Sequence, residues 1–159
     1  ELLADAAERF CAAAFVNALA AYPQYKLDTA WKQVIAHHFH DDITGTSFEE
    51  CYKRNHNDYV QALNTFSVEL TAACHALVDA MDTSFVKGTA VAVANPLQGA
   101  TDRLCTAKVH LTDADAYHTV YDKDGNILPS QTKRLSDTEC EVIFTAAVPS
   151  CGIAVFDVQ

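Results

Sequence analysis

The residues with the most chemical potential lie in one stretch, His37-His38-Phe39-His40-Asp41-Asp42-Ile43-Thr44-Gly45-Thr46-Ser47, whose first six positions hold three imidazoles and two carboxylates. Imidazole nitrogen and carboxylate oxygen suit a borderline divalent ion such as Zn²⁺. On a helix, His37 and Asp41, or His38 and Asp42, stand four apart and share a face. A Gly-Thr turn directly behind them would hold the backbone close to a ligand. A second reading stands beside this one: histidines in the last turn of a helix are favoured by its dipole, and His38 falls on an apolar stripe where it would serve the core. A rigid helix does not turn four ligands toward one point, so a metal centre here needs ligands from elsewhere.

Asp41 and Asp42 do not make a glycosidase pair by themselves. Adjacent helical residues point about 100° apart, and they do not flank a sugar at the roughly 5 to 9 Å that two-carboxylate hydrolysis requires. The chain has no nucleophile elbow, no phosphate-binding loop and no His-Glu-x-x-His. Asp28, Asp58 and Glu69 are single acids on helical faces, expected in solvent, and Asp122 and Asp124 flank a turn.

The elements that must position the His/Asp stretch are helices, because apolar residues recur at three and four over 1–85. Leu3, Ala6, Phe10, Ala13, Ala14, Asn17 and Ala20 form a first stripe, ending around Tyr22-Pro23. Asp28 is a candidate N-cap for a second helix carrying Leu27, Ala30, Trp31, Val34, Ile35 and His38, which Thr44-Gly45-Thr46 breaks. Ser47 with Glu50 reads as a capping box opening a third helix. Its seam, Tyr52, His56, Tyr59, Leu63, Phe66, Leu70, Ala73, Leu77 and Met81, alternates steps of four and three. That helix would run about 35 residues, or ~50 Å, with the shorter two laid against it as a three-helix bundle.

After Lys87-Gly88 the period changes to two, with strands expected over 90–94, 104–111, 119–128, 141–146 and 153–158. Asp122-Lys123-Asp124-Gly125-Asn126 is a hairpin signal, and Asn95-Pro96 and Pro149-Ser150-Cys151-Gly152 are loops. The fold class is α+β: a three-helix bundle over 1–86 followed by a small antiparallel β-sandwich-like domain over 87–159.

Composition agrees with a folded chain of this kind. Its 159 residues are 50% hydrophobic and 20% charged, with only 5 Gly and 4 Pro, which excludes a disordered or collagen-like sequence. Lys plus Arg number 11 against 21 Asp plus Glu, and the net charge of −10 disfavours nucleic acid and anionic membrane as partners. The apolar stretch over 10–22 is interrupted by Asn17 and is too short to span a bilayer, so no transmembrane helix is expected. Cys11, Cys51, Cys74, Cys105, Cys140 and Cys151 form no Cys-x-x-Cys pair. Most are expected to be buried thiols, with a bridge among Cys105, Cys140 and Cys151 left open. A chain opening on Glu1 without a signal sequence is expected to be a piece of a longer protein.

The combination of Ala30-Trp31, the run from Phe39-His40-Asp41-Asp42 through Thr44-Gly45-Thr46-Ser47, and Tyr59 resembles the middle helical region of family 38 glycoside hydrolases, the class II α-mannosidases. Ala7-Glu8 and the helix ending in Tyr22-Pro23 are similar as well. Val93-Ala94-Asn95-Pro96-Leu97, residues 125–131 and Val148-Pro149-Ser150-Cys151-Gly152 look like the first β domain of those enzymes. The resemblance implies that His40 is a zinc ligand, with one His and two Asp supplied by a preceding catalytic α/β domain, and that Asp41 contacts hydroxyls of the mannose ring. It implies a retaining hydrolysis in which one Asp attacks the anomeric carbon, a second acid protonates the leaving oxygen, and zinc grips the O2 and O3 hydroxyls. Neither catalytic Asp lies in this chain, and His37 and His38 take structural or supporting roles. Phe39 precedes His40 where eukaryotic lysosomal and Golgi members carry His, a form closer to bacterial relatives; Asp42 replaces what is often a small or apolar residue.

The function implied is therefore a fragment of a zinc-dependent retaining α-mannosidase acting on terminal α-mannosides of glycans. Such a fragment is inactive without its N-terminal catalytic domain. The alternative is a stand-alone helical and β binding or interaction module, with the long seam from Tyr52 to Met81 as its binding face. The two differ in exposure: a fragment leaves the surroundings of His40 open to solvent, whereas a self-sufficient module covers them.

Overall fold

The computed structural model describes residues 1–110 and 118–159. The chain divides into two compact units, Glu1–Ala80 and Met81–Gln159.

The first unit is built from α1 (Leu2–Val16), α2 (Gln24–Ala36), a single short turn α3 (His40–Ile43) and the long α4 (Glu49–Asp79). Helices α1 and α2 both pack on α4. Six residues of α1 are buried, four of them alanines, so its backbone comes close to its neighbour around Phe10 and Cys11. Leu27, Ala30 and Val34 bury the inner face of α2, and the Trp31 ring meets Phe66 edge to face at 5.6 Å. The Trp31 indole N–H donates to Glu8 Oε1 at 2.8 Å, which satisfies the polar edge of a half-buried ring.

Helix α1 ends earlier than expected, at Val16 rather than near Pro23. Leu19 N–H donates to the Ala14 carbonyl and Ala18 N–H to Phe15, each at 2.9 Å, with Ala18 at φ +57°. This is a Schellman motif with alanine in the place glycine usually fills. Asp28 does not cap α2 as expected: the helix already begins at Gln24 behind Pro23, and Asp28 sits one turn inside it, accepting the Gln24 side-chain amide at 2.8 Å. Proline serves as the boundary because it has no N–H to satisfy.

Two further expectations for α4 are corrected. Its N-cap is Phe48, and the Ser47–Glu50 capping box does not form, because the Ser47 hydroxyl is engaged with Asp41 and Asp42. Its buried positions are Asn55, Ala62, Phe66, Glu69 and Ala73, so the inner stripe runs through 55, 62 and 69 where His56, Leu63 and Leu70 were expected. Leu63 is half exposed. Choosing the larger apolar residue at each step rotates the stripe; the close approach of α1 and α2 instead selects small Ala62. Glu69, expected in solvent, is buried and forms an ion pair with Lys26.

The second unit holds β1 (Thr89–Asn95), β2 (Thr101–His110), β3 (Val120–Tyr121), β4 (Ile127–Leu128), β5 (Ser130–Arg134), β6 (Glu139–Val148) and β7 (Gly152–Val158). One sheet has the order β1-β7-β3-β4 and the other β2-β6-β5, with every pairing antiparallel. Alternation along β6 buries Cys140, Val142, Phe144, Ala146 and Val148 on one face. These meet Val120, Phe156 and Val158 of the other sheet, with the Phe144 and Phe156 rings 5.1 Å apart, so the unit is a sandwich.

The span 119–128, expected as a strand with a turn signal inside it, is a hairpin of two short strands. Asp122 Oδ1 accepts the N–H groups of Asp124 and Asn126, and Gly125 adopts φ +82°. Strand β5 was not signalled by the sequence because Ser130-Gln131-Thr132-Lys133-Arg134 has no apolar alternation; it is an edge strand, where polar residues are tolerated. Leu111, the expected end of the 104–111 strand, lies outside the described residues. Cys105, Cys140 and Cys151 form no bridge, and the expectation that most of the thiols are buried is corrected: only Cys11 and Cys140 are, while Cys51, Cys74 and Cys105 are half-buried and Cys151 is exposed.

Candidate functional site

The His/Asp stretch is not one continuous helix end. Helix α2 stops with His37 as its C-cap, and the chain turns through His38 and Phe39 before the single turn of α3. The expected i, i+4 pairs, His37 with Asp41 and His38 with Asp42, therefore do not form. His37 instead reaches five residues on: its Nδ1 lies 3.1 Å from Asp42 Oδ2, and its Nε2 lies 3.2 Å from Asp58 Oδ2 on α4. The imidazole is only 11% exposed and packs against the Tyr59 ring at a tilt of 50°, ring centres 5.1 Å apart. His38, expected on the apolar stripe, is exposed, with Nε2 3.5 Å from Glu1 Oε1.

His40 and Asp41 have the opposite character. Their side chains are 77% and 55% exposed, and the one charged contact between them is His40 Nε2 to Asp41 Oδ2 at 3.5 Å. Their backbone, by contrast, is held. The Asp41 carbonyl accepts the Thr46 and Ser47 N–H groups at 3.2 and 3.0 Å and the Ser47 hydroxyl at 3.1 Å. The Thr44 hydroxyl donates to the His40 carbonyl, and Gly45, at φ +83°, supplies the left-handed residue that closes the turn. Ser47 N–H also donates to the Tyr52 hydroxyl at 2.9 Å. Two exposed, chemically able side chains thus stand on a fixed backbone, with Phe39, Ile43 and Phe48 exposed nearby in sequence.

Asp42, expected to share a face with His38, is the inward carboxylate. Its Oδ1 accepts the Ser47 hydroxyl at 3.1 Å, and it takes further hydrogen bonds from His37 and Asn55. The bond from His37 leads the effects that hold its carboxyl below the usual carboxylate range, with Asn55 and Ser47 reinforcing it against burial. Among the described residues no three His, Cys, Asp or Glu side chains converge as a metal site would require. The His40 imidazole is open to solvent, and the described residues gather no such group around it. No helix of the described residues is long and apolar enough to cross a membrane.

Residues 1–77 match the family described as the alpha mannosidase middle domain. This helical unit belongs to that family. Over 96% of its length the chain also matches the crystal structure of an alpha-mannosidase from Enterococcus faecalis V583, at TM-score 0.74 and 19% identity, covering 21% of that protein's chain. It likewise matches the crystal structure of a protein in the Glycosyl Hydrolase Family 38 from Enterococcus faecalis, at TM-score 0.75, 18% identity, and 96% and 22% coverage of the two chains. At such identity the likeness is one of fold, and it extends from the α-mannosidase middle domain through the β sandwich. The chain spans about a fifth of the length of those proteins. No curated protein matches the sequence.

Proposed function

We propose that this chain is part of a zinc-dependent retaining α-mannosidase acting on terminal α-mannosides of glycans, to which it contributes His40 as one metal ligand and Asp41 as a contact to sugar hydroxyls. One observation carries the reading. His40 and Asp41 stand exposed on a backbone tied down through the Asp41 carbonyl, in a unit of the α-mannosidase middle-domain family. A side chain so placed is suited to reach a site completed by another domain. The remaining ligands and both catalytic carboxylates would come from a preceding α/β domain, which would cover Phe39, Ile43 and Phe48.

Within that arrangement His40 would offer an imidazole nitrogen to the ion, and Asp41 would accept hydrogen bonds from ring hydroxyls and fix the sugar's orientation. Bound zinc supplies positive charge that holds vicinal hydroxyls while the glycosidic bond breaks. The alternative of a free-standing module loses Phe66 and Ala73 from its binding face, because both are buried on the side of α4 against which α1 and α2 pack.

Calorimetry with Zn²⁺ tests the reading, on the 159-residue chain and on a longer protein carrying the preceding domain, each beside His40→Ala. The expected result is no tight binding and no hydrolysis of a chromogenic α-mannoside by the short chain, and one zinc per long chain that His40→Ala loses. Tight stoichiometric binding by the short chain, abolished in the variant, would mean a complete local site and overturn the proposal.

A further inference from the structure

The turn that carries His40 and Asp41 buries none of its own residues, so apolar packing does not decide where it points. Polar bonds do. Asp42 follows Asp41 directly, and consecutive positions on a helical turn diverge by about 100°, so one carboxylate faces out while the other faces in. Their side chains are 55% and 17% exposed. The inner one gathers three separate parts of the unit: His37 at the end of α2 (3.1 Å), Ser47 in the connecting turn (3.1 Å) and Asn55 on α4. His37 continues the chain of bonds to Asp58 on α4 at 3.2 Å and leans on Tyr59. Because a carboxylate only accepts, His37 must donate to whichever of the two it serves; a neutral ring serves one and a doubly protonated ring both. Asn55, 9% exposed on the inner stripe of α4, would have little other reason to be buried.

We infer that Asp42 and His37 form a latch that positions His40 and Asp41 for the metal and the sugar without touching either. Both are positioning residues. The inference rests on the reading of His40 as a ligand and adds the residues that aim it. The two adjacent aspartates, unable to act as a catalytic dyad, divide the work: Asp41 is presented and Asp42 anchors. Orienting a ligand through hydrogen-bonded neighbours of this kind typically changes metal affinity 10- to 100-fold.

The test uses the parent enzyme with Asp42→Ala, Asp42→Asn, His37→Gln, Ser47→Ala and His40→Ala. Zinc affinity is read by competition with a graded chelator, and amide hydrogen exchange is read at Thr46 and Ser47. Asp42→Ala is expected to weaken zinc binding about 10- to 100-fold and to raise exchange at both amides, because their bonds to the Asp41 carbonyl open when the turn is released. Asp42→Asn, which keeps an acceptor oxygen, is expected to recover part of the affinity. Added zinc is expected to restore activity to Asp42→Ala, as it would not for a merely unfolded variant. Should Asp42→Ala fail to fold, Ser47→Ala decides, with an expected weakening of about fivefold. Wild-type affinity and exchange in the folded latch variants, beside loss of zinc in His40→Ala, would overturn the latch and leave His40 as a ligand. Wild-type zinc in His40→Ala would overturn both.

Discussion

Replacing Asp157 by Asn is expected to unpin the segment that leads into the β sandwich. Asp157 lies on β7 and is almost fully buried. Its Oδ2 accepts Lys87 N–H at 3.0 Å and the Gln159 side-chain amide at 2.7 Å, and its Oδ1 accepts Gly88 N–H at 2.9 Å. Asparagine has one acceptor oxygen, so either Lys87 or Gly88 would face an N–H group instead of a partner. A hydrogen bond to a charged group contributes roughly 1.5 to 3 kcal/mol; one such loss, near 2 kcal/mol, corresponds to about 30-fold faster exchange of the released amide. Residue-resolved hydrogen exchange at Lys87 and Gly88 reads this directly. The acid response supplies a second readout. Burial pushes the Asp157 carboxyl up, but the bonds from Lys87, Gly88 and Gln159 outweigh it and hold the group below its usual value. An aspartate in the unfolded chain titrates near ~3.9, so this stabilisation is complete above that pH and is lost as pH falls through the lower, folded value. Urea midpoints of the strand amides should therefore decline below about pH 4 in the wild type, and less steeply in Asp157→Asn. Unchanged exchange at Lys87 and Gly88, or an identical acid response in the variant, would refute the reasoning.

Three other perturbations have defined signs. Ala18→Gly should stabilise the helical unit by about 0.5 kcal/mol, because Ala18 holds φ +57° in the Schellman turn at a cost of roughly 1 to 2 kcal/mol that glycine's greater freedom when unfolded offsets only in part; denaturation followed by the single tryptophan, Trp31, would show the shift. A Cβ at Gly88 would come within 2.2 Å of the Val158 carbonyl oxygen, a backbone atom with little room to retreat. Gly88→Ala should thus destabilise the sandwich by about 1 to 3 kcal/mol, seen as a lower urea midpoint for the strand amides alone. Buried Asn95 donates to the carbonyls of Gly99 and Pro149, each at 2.9 Å, and accepts Leu97 N–H at 3.0 Å. Asn95→Ala should therefore cost about 1 to 3 kcal/mol and free the Leu97 amide to exchange.

Much of the fold is written in short-range pattern. Apolar spacing of three and four marks the helical half, and alternation marks β1, β2 and β6, because the faces of a helix or a strand recur within a few residues. The chemical interest of the run from His37 to Ser47 is equally plain from composition, and the resemblance to the α-mannosidase middle region picked out His40 and Asp41 within it. The limits of pattern appear where two candidates have equal claim. Ala62 and Leu63 both fit a helical stripe, and only the closeness of α1 and α2 turns Ala62 inward. Ser47 and Glu50 satisfy a capping box on paper, yet the hydroxyl bonds to Asp41 and Asp42 instead.

Taken alone, the sequence determined that the chain is helical then β, and it singled out one short stretch dense in imidazoles and carboxylates. Tertiary structure decided which of the polar residues in that stretch are spent inside and which are offered outside. His37 and Asp42 turn inward because Asn55, Asp58 and Tyr59, well separated from them along the chain, are brought against them by α4. His40 and Asp41 are left outward with their backbone bonded and their side chains open. Spacing along a chain fixes faces of a local element. The choice of hydrogen-bond partner belongs to groups distant in sequence, and it is made only when packing brings them within about 3 Å of one another.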